Sequence, residues 1–454
     1  MENKREFIHA CYVKSKDNIE KDAVYVKENI HYPDGSIKGN LRKIENYQQS
    51  FYLTKPEFRN YLHKKETESI HRVERFYSNR AQLPSKAFRL LNGYTSLGYV
   101  GISTINASPY IYGSDITPPV LIHKDYREKY GELFTPSSLA VLDFETDVTK
   151  GTGDIISGIL SFKDKVHVVI TKDFISDIKG DIKDQILKLA NIHLKDYIKS
   201  RNITFKIDIV DTPANAVIEL MRSAHEWKPD YIGIWNIAFD VNKMISVLDK
   251  AGIDPAVVFS DPSVPNEFKF FNWREDTPFK IKADGSKMKK HVSELWNVVS
   301  TPATFQFVCL MATFRLIRAR DPQRNSYSLD SVLHDYLDLG KLKFDNIAEG
   351  LTQLDWHIEM QRHHKLEYII YMMFDGIGPE LLDELTGDIS KSLRAAVGLS
   401  EFKTAKSNPK RLADDMHFFA LENNLVLGST SKDMTIDLDN WLPSIREWII
   451  SFNN

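Results

Sequence analysis

The sequence is poor in cysteine, with only Cys11 and Cys309 among 454 residues. That excludes a disulfide framework and makes a reducing compartment the simpler expectation. Long apolar runs are missing too. The richest, Phe305 to Phe314, falls far short of the roughly 20 residues needed to span a bilayer. No apolar stretch follows the opening Met-Glu-Asn-Lys-Arg-Glu, so neither a membrane anchor nor a secretory signal is expected. Neither sign of charge dominates: Lys plus Arg number 59 and Asp plus Glu 62, a formal net charge of −3. This excludes a wholly basic nucleic-acid coat, while a local basic groove remains compatible with the balanced total. There is no internal repeat and no low-complexity tract. What is present is globular in composition, 42% apolar and 27% charged. At about 150 residues per domain, the length suggests two or three domains.

Residues 1–137 are mixed and poorly periodic, and read as an α+β domain in which a loop, 110–119, leads into a short strand from Val120 to His123. After the turn cluster Thr135-Pro-Ser-Ser138 the pattern sharpens. Leu139 to Glu145 is a short apolar run, as expected of a strand buried on both faces. Ile155 to Phe162 and Val166 to Ile170 are β-branched runs split by Lys163-Asp-Lys165, which reads as a hairpin. Asp184 to Ile198 has helical spacing and Ile203 to Val210 reads as a further strand. Thr212-Pro213 supplies a helix cap and a proline at the first helical position. Tyr231 to Trp235 is a strand and Phe239 to Ala251 a helix. Helical patterns resume at Phe305 to Ala319, at Leu329 to Leu339 and from Glu359 onward. Three leading strands joined by tight turns, then alternating helix and strand, predict an α/β domain: a mixed sheet with flanking helices, in the order of a ribonuclease H-like fold. Residues 252–300 interrupt it with a polar insertion. This is either a solvated loop or a lysine-rich arm placing Lys287, Lys289 and Lys290 against nucleic-acid phosphates.

Asp143 and Glu145 are two apart on a predicted strand, so their side chains leave one face of the sheet. Two acids inside an apolar strand are costly unless something neutralises them. A hard divalent cation does so with oxygen ligands, and a strand-end salt bridge is the plainer alternative. Asn236-x-x-x-Asp240 sets an acid at the start of a helix on the same sheet edge, where the helix dipole alone would also favour it. Tyr371-x-x-x-Asp375 stacks a tyrosine and an acid on one helical face.

Together, Leu142-Asp-Phe-Glu-Thr146, Asn236-x-x-x-Asp240 and Tyr371-x-x-x-Asp375 resemble the three exonuclease motifs of family B DNA polymerases, in the tyrosine-bearing version of the four-acid 3′→5′ exonucleases. Ile370 stands where the histidine-bearing version has its histidine. Tyr327 to Asp330 and Leu339 to Asp345 are similar to the stretch before the third motif in bacteriophage members. The resemblance implies a domain over 138–383 that binds two Mg2+ ions, or Mn2+, through Asp143, Glu145, Asp240 and Asp375. Tyr371 would orient the attacking water, and Asn236 and Phe239 would contact a single-stranded 3′ end of DNA.

The resemblance extends beyond the nuclease motifs. Residues 384–434 look like the segment that returns to the N-terminal domain. Thr435 to Ile445 resembles the first polymerase motif, with Asp437 at its metal-binding aspartate, although Leu442 replaces the family's tyrosine. The expectation is therefore the exonuclease-bearing, proofreading N-terminal subunit of a split replicative polymerase of bacteriophage type, acting inside a host cell. Residues 435–454 would begin the palm, and a second polypeptide would supply the rest of it with the fingers and thumb, so that primer-template DNA is shared between the two chains. The alternatives are a self-sufficient 3′→5′ DNA exonuclease and a structural polymerase subunit with a vestigial nuclease site.

Overall fold

The structure is a computed structural model that describes residues 3–428, apart from 97, 283, 323, 340, 341, 343, 345, 346, 348, 349 and 352. Asp437, the expected palm segment 435–454 and Asp345 lie outside the described residues. By its contacts the chain divides into two units. One gathers residues up to 11, 25–42 and 132–398, and the other gathers 12–24, 43–131 and those from 399 onward. This grouping is not collinear with the boundaries 137 and 383 expected from sequence. Among the described residues, no helix is long and apolar enough to cross a membrane.

The first unit is built on a six-stranded mixed sheet. Its strands are β1 (Leu139–Thr146), β2 (Ile155–Phe162), β3 (Lys165–Thr171), β4 (Thr204–Val210), β5 (Tyr231–Ile234) and β6 (Gln306–Cys309), in the spatial order β4-β3-β2-β1-β5-β6. The three leading strands run antiparallel, β2 and β3 joined by a tight turn at 163–164 and β1 and β2, contrary to expectation, by the longer loop 147–154. β4 then pairs parallel to β3, β5 parallel to β1, and β6 parallel to β5. Every residue of β2 is buried, as a strand covered on both faces requires.

Helices provide that cover: α1 (Ile182–His193), α2 (Lys195–Arg201), α3 (Pro213–Trp227), α4 (Ile237–Lys250), α5 (Leu310–Ile317), α6 (Leu329–Leu337), α7 (Gln353–His363) and α8 (Lys365–Thr386). The start of α3 is as the sequence signals. Thr212 accepts a hydrogen bond from the Asn215 amide, and Pro213 needs no partner in the first turn. On one face of the sheet α3 reaches Gly158, where a Cβ would stand 3.0 Å from Leu220 and 2.5 Å from Phe144. On the other face α8 reaches β2 at Gly376, whose Cβ would stand 2.8 Å from Ile159. The Glu380 carboxylate fixes the register of α8. It accepts hydrogen bonds from the Ser161 hydroxyl, from the Lys163 amide at 2.9 Å and from Arg201 at 2.8 Å.

Two expectations need correcting. Phe305 to Ala319 is not one helix, because residues 306–309 form the edge strand β6 and α5 begins at Leu310. A continuous apolar run holds no periodicity to mark where a strand gives way to a helix. Likewise, Val120 to His123 is not a strand but the start of a helix, Pro118–Tyr130, with Thr117 at its cap and proline in its first turn. The insertion 252–300 holds a two-stranded hairpin, Phe279–Ile281 with Lys287–Lys289. In the second unit, strands Gln49–Thr54, Val73–Ser78 and Ile111–Tyr112 form a sheet. Its apolar face packs Phe51, Leu53 and Ile111 with Leu83, Ala87 and Ile105.

Candidate metal centre

β1 lies in the middle of the sheet, and its alternation sorts its last residues. Phe144 faces Gly158 and Leu220 on the α3 side. Asp143 and Glu145 leave the opposite face, beside Ile159 and Ser157 of β2. A register shift between Glu145 and Thr146 marks a bulge at this point, a device that re-aims side chains where a ladder ends. α8 crosses that face and presents Asp375. Asp143, Glu145 and Asp375 each offer a carboxylate oxygen, and these atoms all lie within 4.8 Å of one another. Asp143 and Glu145 are half-buried and Asp375 is buried. Three carboxylates converging from a strand end and a helix suit a hard divalent cation, whose ligands are oxygen. Their mutual repulsion is what such an ion would relieve.

Asp240, in the first turn of α4, is not part of that cluster. It is buried beside the same strand. Burial pushes its carboxyl up to about 8, the Glu145 charge adds to this, and a hydrogen bond from the Phe144 amide opposes it. Its Oδ1 has no hydrogen-bond partner among the described residues. A protonated acid with an unsatisfied buried oxygen, next to three carboxylates, is a group that would ionise if a cation came within its reach.

Tyr371 lies one helical turn before Asp375, and the two share a hydrogen bond. Burial and the charges of Asp375, Glu145 and Asp143 push its hydroxyl well above the ordinary tyrosine range. It is therefore a neutral hydrogen-bonding group rather than a base at neutral pH. Its ring stacks on Tyr368, with centroids 5.8 Å apart and planes at 11°, and lies 4.9 Å from Trp356.

Sequence reasoning passed over Tyr368, Gln361 and His357. The Tyr368 hydroxyl donates to Glu145 Oε2. It also meets Gln361 Nε2 at 3.1 Å and His357 Nδ1 at 2.8 Å. A signal for Tyr368 was present, since 368, 371 and 375 share one face of a helix. Gln361 and His357 belong to α7, and only the packing of α7 on α8 brings them near. Asp147, the next acid along the chain, has a different role. Burial works against its charge, yet the Lys150 and Thr152 amides and the Thr149 and Thr152 hydroxyls hold it down to about 2. It closes the loop after β1.

The expected DNA contacts are spread out. Asn236 stands at the cap of α4 without using its side chain as a cap. Phe239 is 46% exposed, with Lys243 Nζ 5.7 Å from its ring centre. Lys287 and Lys289 are exposed on their hairpin strand. Lys290 is committed instead to Asp276, at 3.0 Å. No protein-family model matches this chain, and no curated protein sequence matches it.

Proposed function

We propose that this chain is a divalent-metal-dependent nuclease that hydrolyses the terminal phosphodiester at the 3′ end of DNA, through a ribonuclease H-like domain of the kind found in family B DNA polymerases. The observation that carries this reading is the convergence of Asp143, Glu145 and Asp375 within 4.8 Å, from motifs that lie far apart in the chain. The three antiparallel leading strands followed by helix-linked parallel ones support the same fold reading. β4 adds a strand at the sheet's outer edge.

In this reading Asp143, Glu145 and Asp375 would hold the cation, and Asp240, once ionised, would offer a further carboxylate beside them. A Mg2+ or Mn2+ ion held there would supply Lewis acidity, making water a nucleophile at neutral pH and offsetting charge on the leaving 3′ oxygen. The Tyr371 hydroxyl, protonated across the neutral range, hydrogen-bonds the attacking water and fixes its line of approach. Phe239, exposed beside α4, offers a ring against which an unpaired terminal base can stack. The exposed Lys287 and Lys289 supply phosphate contacts. The polymerase partner implied by the sequence resemblance rests on residues 435–454 and forms no part of this reading.

The test uses a single-stranded oligonucleotide labelled at its 5′ end. With Mg2+ the protein should shorten it stepwise from the 3′ end, releasing nucleoside monophosphates, and EDTA should stop the reaction. Asp143→Ala with Glu145→Ala, or Asp375→Ala alone, should lower the rate on the order of 10²-fold to 10³-fold or more. Digestion at the parent's rate by these variants would place the activity elsewhere.

A further inference from the structure

The outer side of the carboxylate cluster is closed by a chain of hydrogen bonds whose direction can be worked out. The Gln361 side chain has one possible orientation. Its Oε1 accepts the Val148 amide at 3.0 Å, so its Nε2 is the end that donates to the Thr146 carbonyl at 2.9 Å and to Tyr368 at 3.1 Å. The Tyr368 oxygen is thus already an acceptor, and its own proton must point to another group. Two acceptors are in reach, Glu145 Oε2 and His357 Nδ1. The carboxylate is the stronger, so the phenol proton lies toward Glu145 and the His357 Nδ1–H donates to the phenol. The middle of the chain is shielded, while Glu145 and His357 are half-buried. Tyr368 is fully buried, Gln361 is buried, and the Trp356 ring packs 6.0 Å from that of Tyr368. Burial and the Glu145 charge raise the Tyr368 hydroxyl well above the ordinary range, so it keeps its proton.

We infer that Tyr368, backed by Gln361 and His357, is a positioning residue of the cation site: it holds Glu145 by one oxygen so that the other faces Asp143 and Asp375. A ligating carboxylate fixed in this way loses little freedom when it takes up a cation, and its ionised form is favoured by the hydrogen bond it accepts. Thr146 and Val148, which Gln361 ties to the same chain, flank the strand end that carries Glu145. The polypeptide just past the bulge and the orientation of the Glu145 side chain are therefore set by one network. The inference rests on the reading of the triad as a cation site.

Calorimetric titration with Mn2+ tests it without DNA and without turnover. Tyr368→Phe should bind Mn2+ about 10–100-fold more weakly than the parent, the range expected when a group supporting a ligand is lost. In a Glu145→Gln background the same change should cost less than about 2-fold, because its effect passes through Glu145. Thermal unfolding adds a readout that mere structural support would not move. The rise in Tm on adding Mn2+ should shrink in Tyr368→Phe, whatever happens to the metal-free Tm. Should that variant fail to fold, Gln361→Leu, which removes the donor that turns the phenol toward Glu145, gives the same comparison. Unchanged Mn2+ affinity, or an equal loss in both backgrounds, overturns the inference while leaving the nuclease reading intact. A parent that binds Mn2+ in this pattern yet leaves DNA uncut upholds the inference and overturns the nuclease reading.

Discussion

Asp240 shows at the level of one residue what a site of this kind costs a fold. Its ordinary carboxyl value is 3.8, and in the folded protein it is pushed up to about 8. A carboxyl raised in this way stabilises the fold most below pH 3.8, and that contribution is lost progressively as pH rises to about 8. Asp240→Asn removes the titration and keeps the shape. In EDTA at pH 8 the Asn variant should melt several degrees above the parent, and the gap should narrow at pH 5, where the folded carboxyl is already neutral. An equal gap at both pH values would show that ionisation of Asp240 carries no folding cost. Asp143, Glu145 and Asp375, which the fold brings together, and Asp240 and Tyr371 near them were singled out in the sequence by three spaced motifs and their resemblance to a known set. Tyr368 was hidden for a physical reason. A buried tyrosine on an apolar helix reads as core, and only its partners reveal the hydroxyl's use.

Elements position those residues, and Gly376 is where two of them meet. In a helix interior, alanine is ordinarily better than glycine by roughly 0.5–1 kcal/mol. Here a Cβ would lie 2.8 Å and 2.9 Å from two carbons of Ile159 on β2. Overpacking of that kind costs about 1–3 kcal/mol, so steric conflict should win over helix propensity. Gly376→Ala should lower the Tm and, because Asp375 is the preceding residue on α8, also weaken Mn2+ binding. Adding Ile159→Ala should restore part of both. A variant as stable as the parent with unchanged Mn2+ affinity would show that α8 has room to shift. Strands β1 to β5 were legible because β-branched runs bounded by polar turns leave few alternatives, whereas β6 was read as the start of a helix. A helical pattern was legible from Glu359 onward, but neither the break between α7 and α8 at His364 nor the register of α8 was. That register rests on Glu380 with Ser161, Lys163 and Arg201, which are far apart in sequence. The helix at Pro118 was legible after all. Thr117-Pro118 matches Thr212-Pro213 in sequence, although the Thr117 side chain makes no cap hydrogen bond, and the apolar residues after it read as a strand.

At the scale of the whole first unit, buried histidines add an opposing pH dependence. The His167 Nε2–H donates to Asp208 at 3.0 Å, and its Nδ1 accepts from the Ser223 hydroxyl at 2.8 Å. The order Ser–His–Asp resembles a hydrolytic triad, but Ser223 is 1% exposed and His167 0%, so no substrate reaches them. The trio instead ties α3 to β3 and β4. Burial, then the Lys206 charge, pushes His167 down to about 4 from 6.5. His9 is also pushed down to about 4, by burial and then by Lys27. A histidine lowered in this way contributes stability that is present above pH 6.5 and is lost as pH falls toward 4. Each shift corresponds to at most about 3 kcal/mol. Between pH 4 and 6.5 the unfolded chain therefore binds protons at His9 and His167 that the folded unit keeps neutral, with burial shifting His225 the same way, while Asp240 opposes them together with the buried carboxyls of Glu380 and Asp383, which are also raised. Between 6.5 and 8 only the Asp240 effect remains among His9, His167 and Asp240. Stability without metal should accordingly pass through a maximum near pH 6.5. Calorimetric scans in EDTA from pH 4.5 to 8.5 should show the Tm falling on both sides of it. Asp240→Asn should flatten the alkaline limb and steepen the acid one, and His167→Gln should flatten the acid limb. Flattening of both limbs by one variant would mean that the two groups titrate as one unit, with site and scaffold not separable in their pH response.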